Sequence, residues 1–391
     1  MWVILKAVAL VASAWSVAAS AALGSASVPS PHSPIGAQSG TLLKLEPDQL
    51  IAAARTKIEA EAKADRFSGA VLIAKDGKPI FIRAYGMADL DTHKLNTPET
   101  QFRIGSAGKL FTAVAIMQLA QAGKLDLKAP IGRYLNDYPN REIATKATVG
   151  NLLSHTGGTG DFFGPEFLAH RDELRNPKDY IDLFGSRPPV FEPGAKRDYS
   201  NYGFMILGRI VEVVSGLPYD RYVQANIFAP AGMTSSGFQP ENVDLKTRAV
   251  AFTNISGRLK PVTENSLSEY RAIHGDGYME FRGGPAGGSY STVEDLLKFG
   301  NALMTDKLLS AEYLQVWTAG RVTLLDGSLA GYDYGGRLPD GRRFIGHAGS
   351  APGQCANLRA YLSNGYTIVV LANRDPPGCF EIFDFIGDRT P

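Results

Sequence analysis

Phe102-Arg103-Ile104-Gly105-Ser106-Ala107-Gly108-Lys109 is the stretch around which the whole chain organises. A turn of small residues, Gly105 to Gly108, leads into the long apolar run Leu110–Ala122, which Gly123 closes. This predicts a helix opened by Ser106, with an apolar face beginning at Leu110 and a glycine C-cap at Gly123. Positions three apart share a helical face, so Lys109 can reach the Ser106 hydroxyl. A helix start also offers free backbone N–H groups and positive potential, both of which favour an oxyanion formed there. A serine hydroxyl needs a neighbouring base, and a lysine buried in a cleft can lose its proton near neutral pH. Alone, Ser-x-x-Lys is weak evidence: a capping serine followed by a solvent-facing lysine reads the same way, and about one or two chance matches are expected in a chain this long.

Upstream of this stretch, apolar residues recur at helical spacing over about 47–66. Two strand-like runs follow, Ala70–Ala74 and Pro79–Tyr85, joined by the Asp76-Gly77 turn. Downstream, helices are expected at 148–154, 177–185, 201–216, 219–229 and 292–304. Strand character returns only near the C-terminus, in Phe344–His347 and in the runs Cys355–Leu362 and Tyr366–Leu371, which flank Ser363-Asn364-Gly365 as a hairpin. A final helix is expected from Cys379 to about Gly387. Strands at both ends of a helical middle predict an α+β (mixed) fold: a mainly antiparallel sheet built from N- and C-terminal strands with flanking helices, plus an inserted helical region and a cleft between the two.

The 391 residues are 44% hydrophobic and 20% charged, ordinary globular usage. Forty basic residues against thirty-nine acidic leave a net charge of +1, with no basic tail or patch, so neither nucleic acid nor an anionic membrane is indicated. Lys6 before the apolar run Ala7–Leu23, with small residues at Ala19-Ser20-Ala21 and Gly24-Ser25-Ala26, reads as a secretory signal over 1–26. The alternative is an uncleaved N-terminal anchor. Either reading puts the body outside the cytoplasm, periplasmic or secreted, with no membrane contact once the signal is cut. A Pro/Ser linker over 27–44 then precedes one folded domain over 45–391. Cys355 and Cys379 are the two cysteines, and the hairpin returns the chain after Leu371 close to Cys355. An oxidising compartment permits a bridge between them, two free buried thiols being the alternative.

Two further patterns carry chemistry. Tyr-x-Asn occurs three times, and Tyr134-Leu135-Asn136 and Tyr138-Pro139-Asn140 sit in a polar stretch that reads as loop. Tyr199-Ser200-Asn201 instead follows the Glu192-Pro193-Gly194 turn and starts an amphipathic helix, which puts a phenol and an amide together on a fixed loop. A phenol with a pKa of about 10 serves as a base only beside a cation such as Lys109. His-x-Gly occurs at His155-Thr156-Gly157, read as structural though near the cleft, and at His347-Ala348-Gly349, which ends a strand. That strand edge can pair with an extended substrate, offer the Ser350 N–H as a second oxyanion donor, and let a substrate approach closely at Gly349. No Gly-x-Ser-x-Gly elbow, metal-ligand spacing, phosphate loop or dinucleotide fingerprint is present, so no metal or cofactor is implied.

In this order Ser-x-x-Lys, Tyr-x-Asn and His-x-Gly resemble the serine β-lactamase and penicillin-binding protein superfamily, and more closely its branch of class C β-lactamases, D-Ala-D-Ala carboxypeptidases and related esterases. The likeness runs from about residue 65 to the C-terminus and takes in Leu152-Leu153-Ser154-His155-Thr156-Gly157 and Gly287-Gly288-Ser289-Tyr290-Ser291-Thr292. The resemblance implies that Ser106 attacks a carbonyl while Lys109 and Tyr199 share the work of base and acid. It implies that Asn201 orients the substrate and holds Lys109, that His347 lines the strand edge, and that the N–H groups of Ser106 and Ser350 form the oxyanion hole. One departure matters: many relatives have Lys-Thr-Gly where this chain has His347-Ala348-Gly349, and Ala348 cannot bind a substrate carboxylate. Arg342 or Arg343 is the candidate substitute. The expectation is therefore a hydrolase acting on a small-molecule or peptide acyl substrate, with esterase or peptidase activity ahead of β-lactamase or D-Ala-D-Ala carboxypeptidase activity. A non-catalytic binder of cell-wall peptide on the same fold is the reading from another class.

Overall fold

A six-stranded sheet carries the architecture. In the computed structural model, which describes residues 43–240, 246–255, 257–275, 277–332 and 334–391, it is built from both ends of the chain. Gly69–Lys75 (β1) and Lys78–Tyr85 (β2) come from the N-terminal side. Gly335–Arg337 (β3), Arg343–Ala351 (β4), Gln354–Tyr361 (β5) and Tyr366–Ala372 (β6) come from the C-terminal side. The order is β3-β4-β5-β6-β1-β2, antiparallel throughout, with β6 pairing Gly69↔Ala372 through Lys75↔Tyr366. The expected signal segment over 1–26 and nearly all of the expected linker over 27–44 lie outside the described residues.

Side-chain alternation splits the central strands between two cores. Leu72 of β1 and Val369 and Leu371 of β6 face one core, while Val71 and Ile73 of β1 and Ile368 and Val370 of β6 face the other. Five helices cover these faces: Pro47–Lys63 (α1), Lys109–Gln121 (α2), Asn201–Ser215 (α3), Val293–Met304 (α4) and Gly378–Arg389 (α5). Leu50 and Ile58 of α1 and Ile382 and Phe383 of α5 close the second core, whereas α2, α3 and α4 belong to the first. Burial on both sides explains why β1 and β6 read as unbroken apolar runs. Each such side chain contributes about 1.5–3 kcal/mol. Eleven of the thirteen residues of α2 are buried, so packing on every side fixes where its first turn points.

Several expectations are corrected. Ser106 does not open an α-helix: Gly105–Gly108 form one 3₁₀ turn, and α2 begins at Lys109. The span 219–229 is not one regular helix, because Gln224–Phe228 widen into a π-turn. Pro230 has no N–H for the Asn226 carbonyl, which accepts from Gln118 Nε2 instead (3.0 Å). Short strand pairs also occur outside the expected sites, Phe102–Arg103 with Tyr290–Ser291 among them. Cys355 and Cys379 are joined as a disulfide between β5 and α5.

Candidate active site

Three stretches of backbone meet at Ser106. On one side Ile104 N–H donates to the Ser289 carbonyl (2.9 Å) and Gly288 N–H to the Gly105 carbonyl (3.2 Å). On the other lies β4. Gly105 sits at φ +48°, and a β-carbon on it would stand 3.0 Å from the Ser350 nitrogen. A β-carbon on Gly349 would stand 2.0 Å from the Ile104 oxygen and 2.7 Å from the Ser106 nitrogen. The close approach expected at Gly349 is thus an approach to the serine's own turn.

The direction of the Ser350 N–H follows from register. Gly346 N–H donates to the Tyr334 carbonyl on the β3 side (2.9 Å). N–H groups alternate along a strand, and β4 pairs with β5 without a slip from Phe344 to Ala351. Ser350, four residues on, therefore aims its N–H away from β5. Pairing between β3 and β4 ends at Gly335↔Ile345, which leaves that edge open beside Ser106.

Lys109 is fully buried, and in a 3₁₀ turn positions three apart eclipse. Its Nζ donates to Ser106 Oγ (3.2 Å), to Asn201 Oδ1 (2.7 Å) and to the Ala286 carbonyl. The same amine lies 4.9 Å from the centre of the Tyr199 ring. Tyr199 and Asn201 are held by the cap of α3, where the Ser200 hydroxyl accepts from Gly203 N–H (2.8 Å). Asn201 Nδ2 donates in turn to Asp161 Oδ2 (2.8 Å), so both ends of the amide are used. Burial pushes the Asp161 carboxyl above the usual carboxylate range, against the opposing pull of Phe162 N–H, Asn201 and the Lys109 charge.

His155 and His347 belong to one stack. The His155 ring lies 4.4 Å from that of Tyr199, and Ser200 N–H donates to its Nδ1 (3.1 Å). An accepting Nδ1 places the proton of the neutral ring on Nε2, which lies 2.9 Å from Tyr334 Oη. Tyr334 then packs on His347 at 4.5 Å, whose Nδ1 faces the Ala348 carbonyl. His155 thus braces Tyr199 from behind. The structure brings Ser106, Lys109, Tyr199 and Asn201 together directly, Ser350 through its backbone, and His347 through Tyr334.

Sequence reasoning missed Asp161 and Tyr334. Asp161 follows the glycines of 157–160 and precedes Phe162-Phe163, a lone acid in an apolar loop and the one available signal. Arg342 is turned to the far side of the sheet, where it donates to the Thr390 carbonyl (2.9 Å) and the Gly387 carbonyl (3.2 Å) at the end of α5. Arg343 lines a separate cavity. Neither joins the group around Ser106. No cluster of three metal-ligating side chains occurs among the described residues.

A serine and a buried lysine at the head of a central helix, backed by tyrosine and asparagine and edged by a strand, define a serine hydrolase. Residues 50–386 match the family model described as Beta-lactamase, and the chain belongs to that family. It is 32% identical over 317 residues to the candidate penicillin-binding protein PbpX of Bacillus subtilis, covering 81% of this chain and 72% of that one. Among solved structures, a penicillin binding protein from Bacillus halodurans superposes with TM-score 0.70 at 31% identity, covering 85% of this chain and 98% of the other. A D-stereospecific amidohydrolase from Streptomyces gives 0.65 at 26%, covering 85% and 97%.

Proposed function

We propose that the protein is an exported hydrolase that cleaves an ester or a small amide through an acyl-enzyme on Ser106. The observation that carries this is the buried Lys109 amine, 3.2 Å from Ser106 Oγ and fixed by Asn201. Lys109 and Tyr199 take the hydroxyl proton as Oγ bonds to the substrate carbonyl carbon. The negative oxygen collects between the N–H groups of Ser106 and Ser350. The carbonyl carbon then loses its alcohol or amine, which leaves with the proton, and water releases the acid by the same steps in reverse. Asn201 holds Lys109 and orients the substrate; His347 and Tyr334 shape the edge of β4.

Substrate choice follows from what surrounds Ala348. It has no hydroxyl, Arg342 points away and Arg343 lines another cavity, so a substrate carboxylate lacks its usual receptor. Esterase or peptidase activity is therefore placed ahead of β-lactamase activity. Relatives named as penicillin-binding proteins favour the second reading, a β-lactamase or D-Ala-D-Ala carboxypeptidase. The disulfide and the leader-like N-terminus support export. Comparing kcat/KM for p-nitrophenyl esters, a D-Ala-D-Ala peptide and a chromogenic cephalosporin decides the order. Cephalosporin turnover far above the rest would reverse it.

A further inference from the structure

Away from Ser106, three arginines for which the catalytic reading has no use line one cavity, two from the β3 end of the sheet and one from a separate short strand pair. Arg337 of β3 and Arg343 of β4 are directly opposite in the antiparallel register. With Arg321 they line a cavity of about 160 Å³ against helix Ala311–Ala319, whose Gln315 and Thr318 complete the wall. All three arginines are exposed, and none has a carboxylate partner among the described residues. Like charges placed directly opposite on a sheet repel, so the Arg337–Arg343 pairing favours an anion beside it.

Internal partners answer only a fraction of that charge. Arg321 Nη1 donates to the Gly320 carbonyl (2.7 Å) and Arg337 Nη1 to the Gly341 carbonyl (3.1 Å), one N–H each of the five a guanidinium carries. Arg343 has no side-chain hydrogen bond among the described residues. The end of helix Ala311–Ala319 adds a partial charge of roughly −0.5, against three full positive charges. Planar guanidinium forks match the paired oxygens of phosphate, and an oxyanion with two or more charges would cancel the repulsion between Arg337 and Arg343.

We propose that this cavity is a binding site for a multiply charged phosphate-type anion. Arg337 and Arg343 grip it from the sheet, Arg321 closes over it, and Gln315 and Thr318 supply the remaining polar contacts. Arg343 lies four residues before His347, about 13 Å along β4 at the usual strand rise, so occupancy does not block access to Ser106.

The test is thermal denaturation and calorimetric titration with inorganic pyrophosphate at constant ionic strength, on wild type, Arg337→Gln, Arg343→Gln and the double variant. Pyrophosphate should raise the wild-type melting temperature. Each single substitution should weaken binding about tenfold or more, and the double variant should not respond. Without anion, Arg337→Gln should melt no lower than wild type, and ester hydrolysis should be unchanged in every variant. Sodium chloride reproducing the shift, the double variant responding like wild type, or no shift at all would overturn the proposal. A second arm uses vesicles of equal parts phosphatidylglycerol and phosphatidylcholine. Retention that the double variant loses assigns the phosphate to a lipid headgroup. Pyrophosphate binding without retention assigns it to a soluble or polymer-borne phosphate.

Discussion

Gly349→Ala tests the meeting of backbones at Ser106 more sharply than removal of any side chain there. The added β-carbon would stand 2.0 Å from the Ile104 oxygen, and real β-carbons essentially never approach closer than 3.0 Å. The strand and the serine turn must therefore part by at least 1.0 Å, the difference between those distances. Oxyanion donors act at about 2.7–3.1 Å, so this separation takes the Ser350 N–H out of range, and the added methyl also crowds the Ser106 nitrogen at 2.7 Å, so at least one donor is lost. Losing one donor costs about 10²–10³-fold in kcat, and the forced packing costs about 1–3 kcal/mol of stability. Gly346→Ala is the control. Its β-carbon would also stand 2.0 Å from a carbonyl, that of Leu358, but on the β5 side of the strand. Both variants should melt lower than wild type, and only Gly349→Ala should lose kcat on a p-nitrophenyl ester. Equal kcat losses, or none in Gly349→Ala, would refute the reasoning.

Other outcomes follow from the same geometry. Asn201→Leu takes the 2.7 Å acceptor from Lys109 and the donor from Asp161; kcat should fall at least about 10²-fold, with stability down by about 1–3 kcal/mol by chemical denaturation. The Glu61 carboxyl is held at about 2, chiefly by Arg66 and then by Lys57, against the cost of burial. A depressed carboxyl stabilises the fold above its unfolded pKa, here taken as 4.5, and loses that contribution as pH falls toward 2. Glu61→Gln should therefore cost about 1–2 kcal/mol at pH 7, discounted because the Arg66 side chain is 58% exposed, and the difference from wild type should vanish near pH 2. Cys379→Ala opens a loop with a sequence separation of 24, and chain entropy puts the loss at about 3.5 kcal/mol, read as a lower melting temperature that reductant reproduces in wild type.

Much of the fold was legible because it rests on periodicity. The α1 stripe, the runs of β1 and β6 and the largely apolar α2 each announce themselves over one or two dozen residues. The helical middle was less legible where backbone chemistry overrides pattern, as when Pro230 forces the wide turn before it. At the site, local spacing linked Ser106 to Lys109, and a short loop linked Tyr199 to Asn201. Contacts across long separations left no local trace. Asp161 reaches Asn201 over 40 residues, and His155 reaches Tyr334 over 179. In the sequence Gly349 reads as an opening for substrate, whereas a β-carbon there would meet the Ile104 carbonyl of the turn that presents Ser106.

The central claim is that Ser106 forms the covalent intermediate with Lys109 as its proton partner. Intact-mass measurement after brief exposure to a fluorophosphonate tests it most directly. Wild type should gain one adduct mapped to Ser106, Lys109→Met should label at least about 10²-fold more slowly, and Ser106→Ala should gain none. Labelling of Ser106→Ala at the wild-type rate, or an adduct on any other residue, would contradict it.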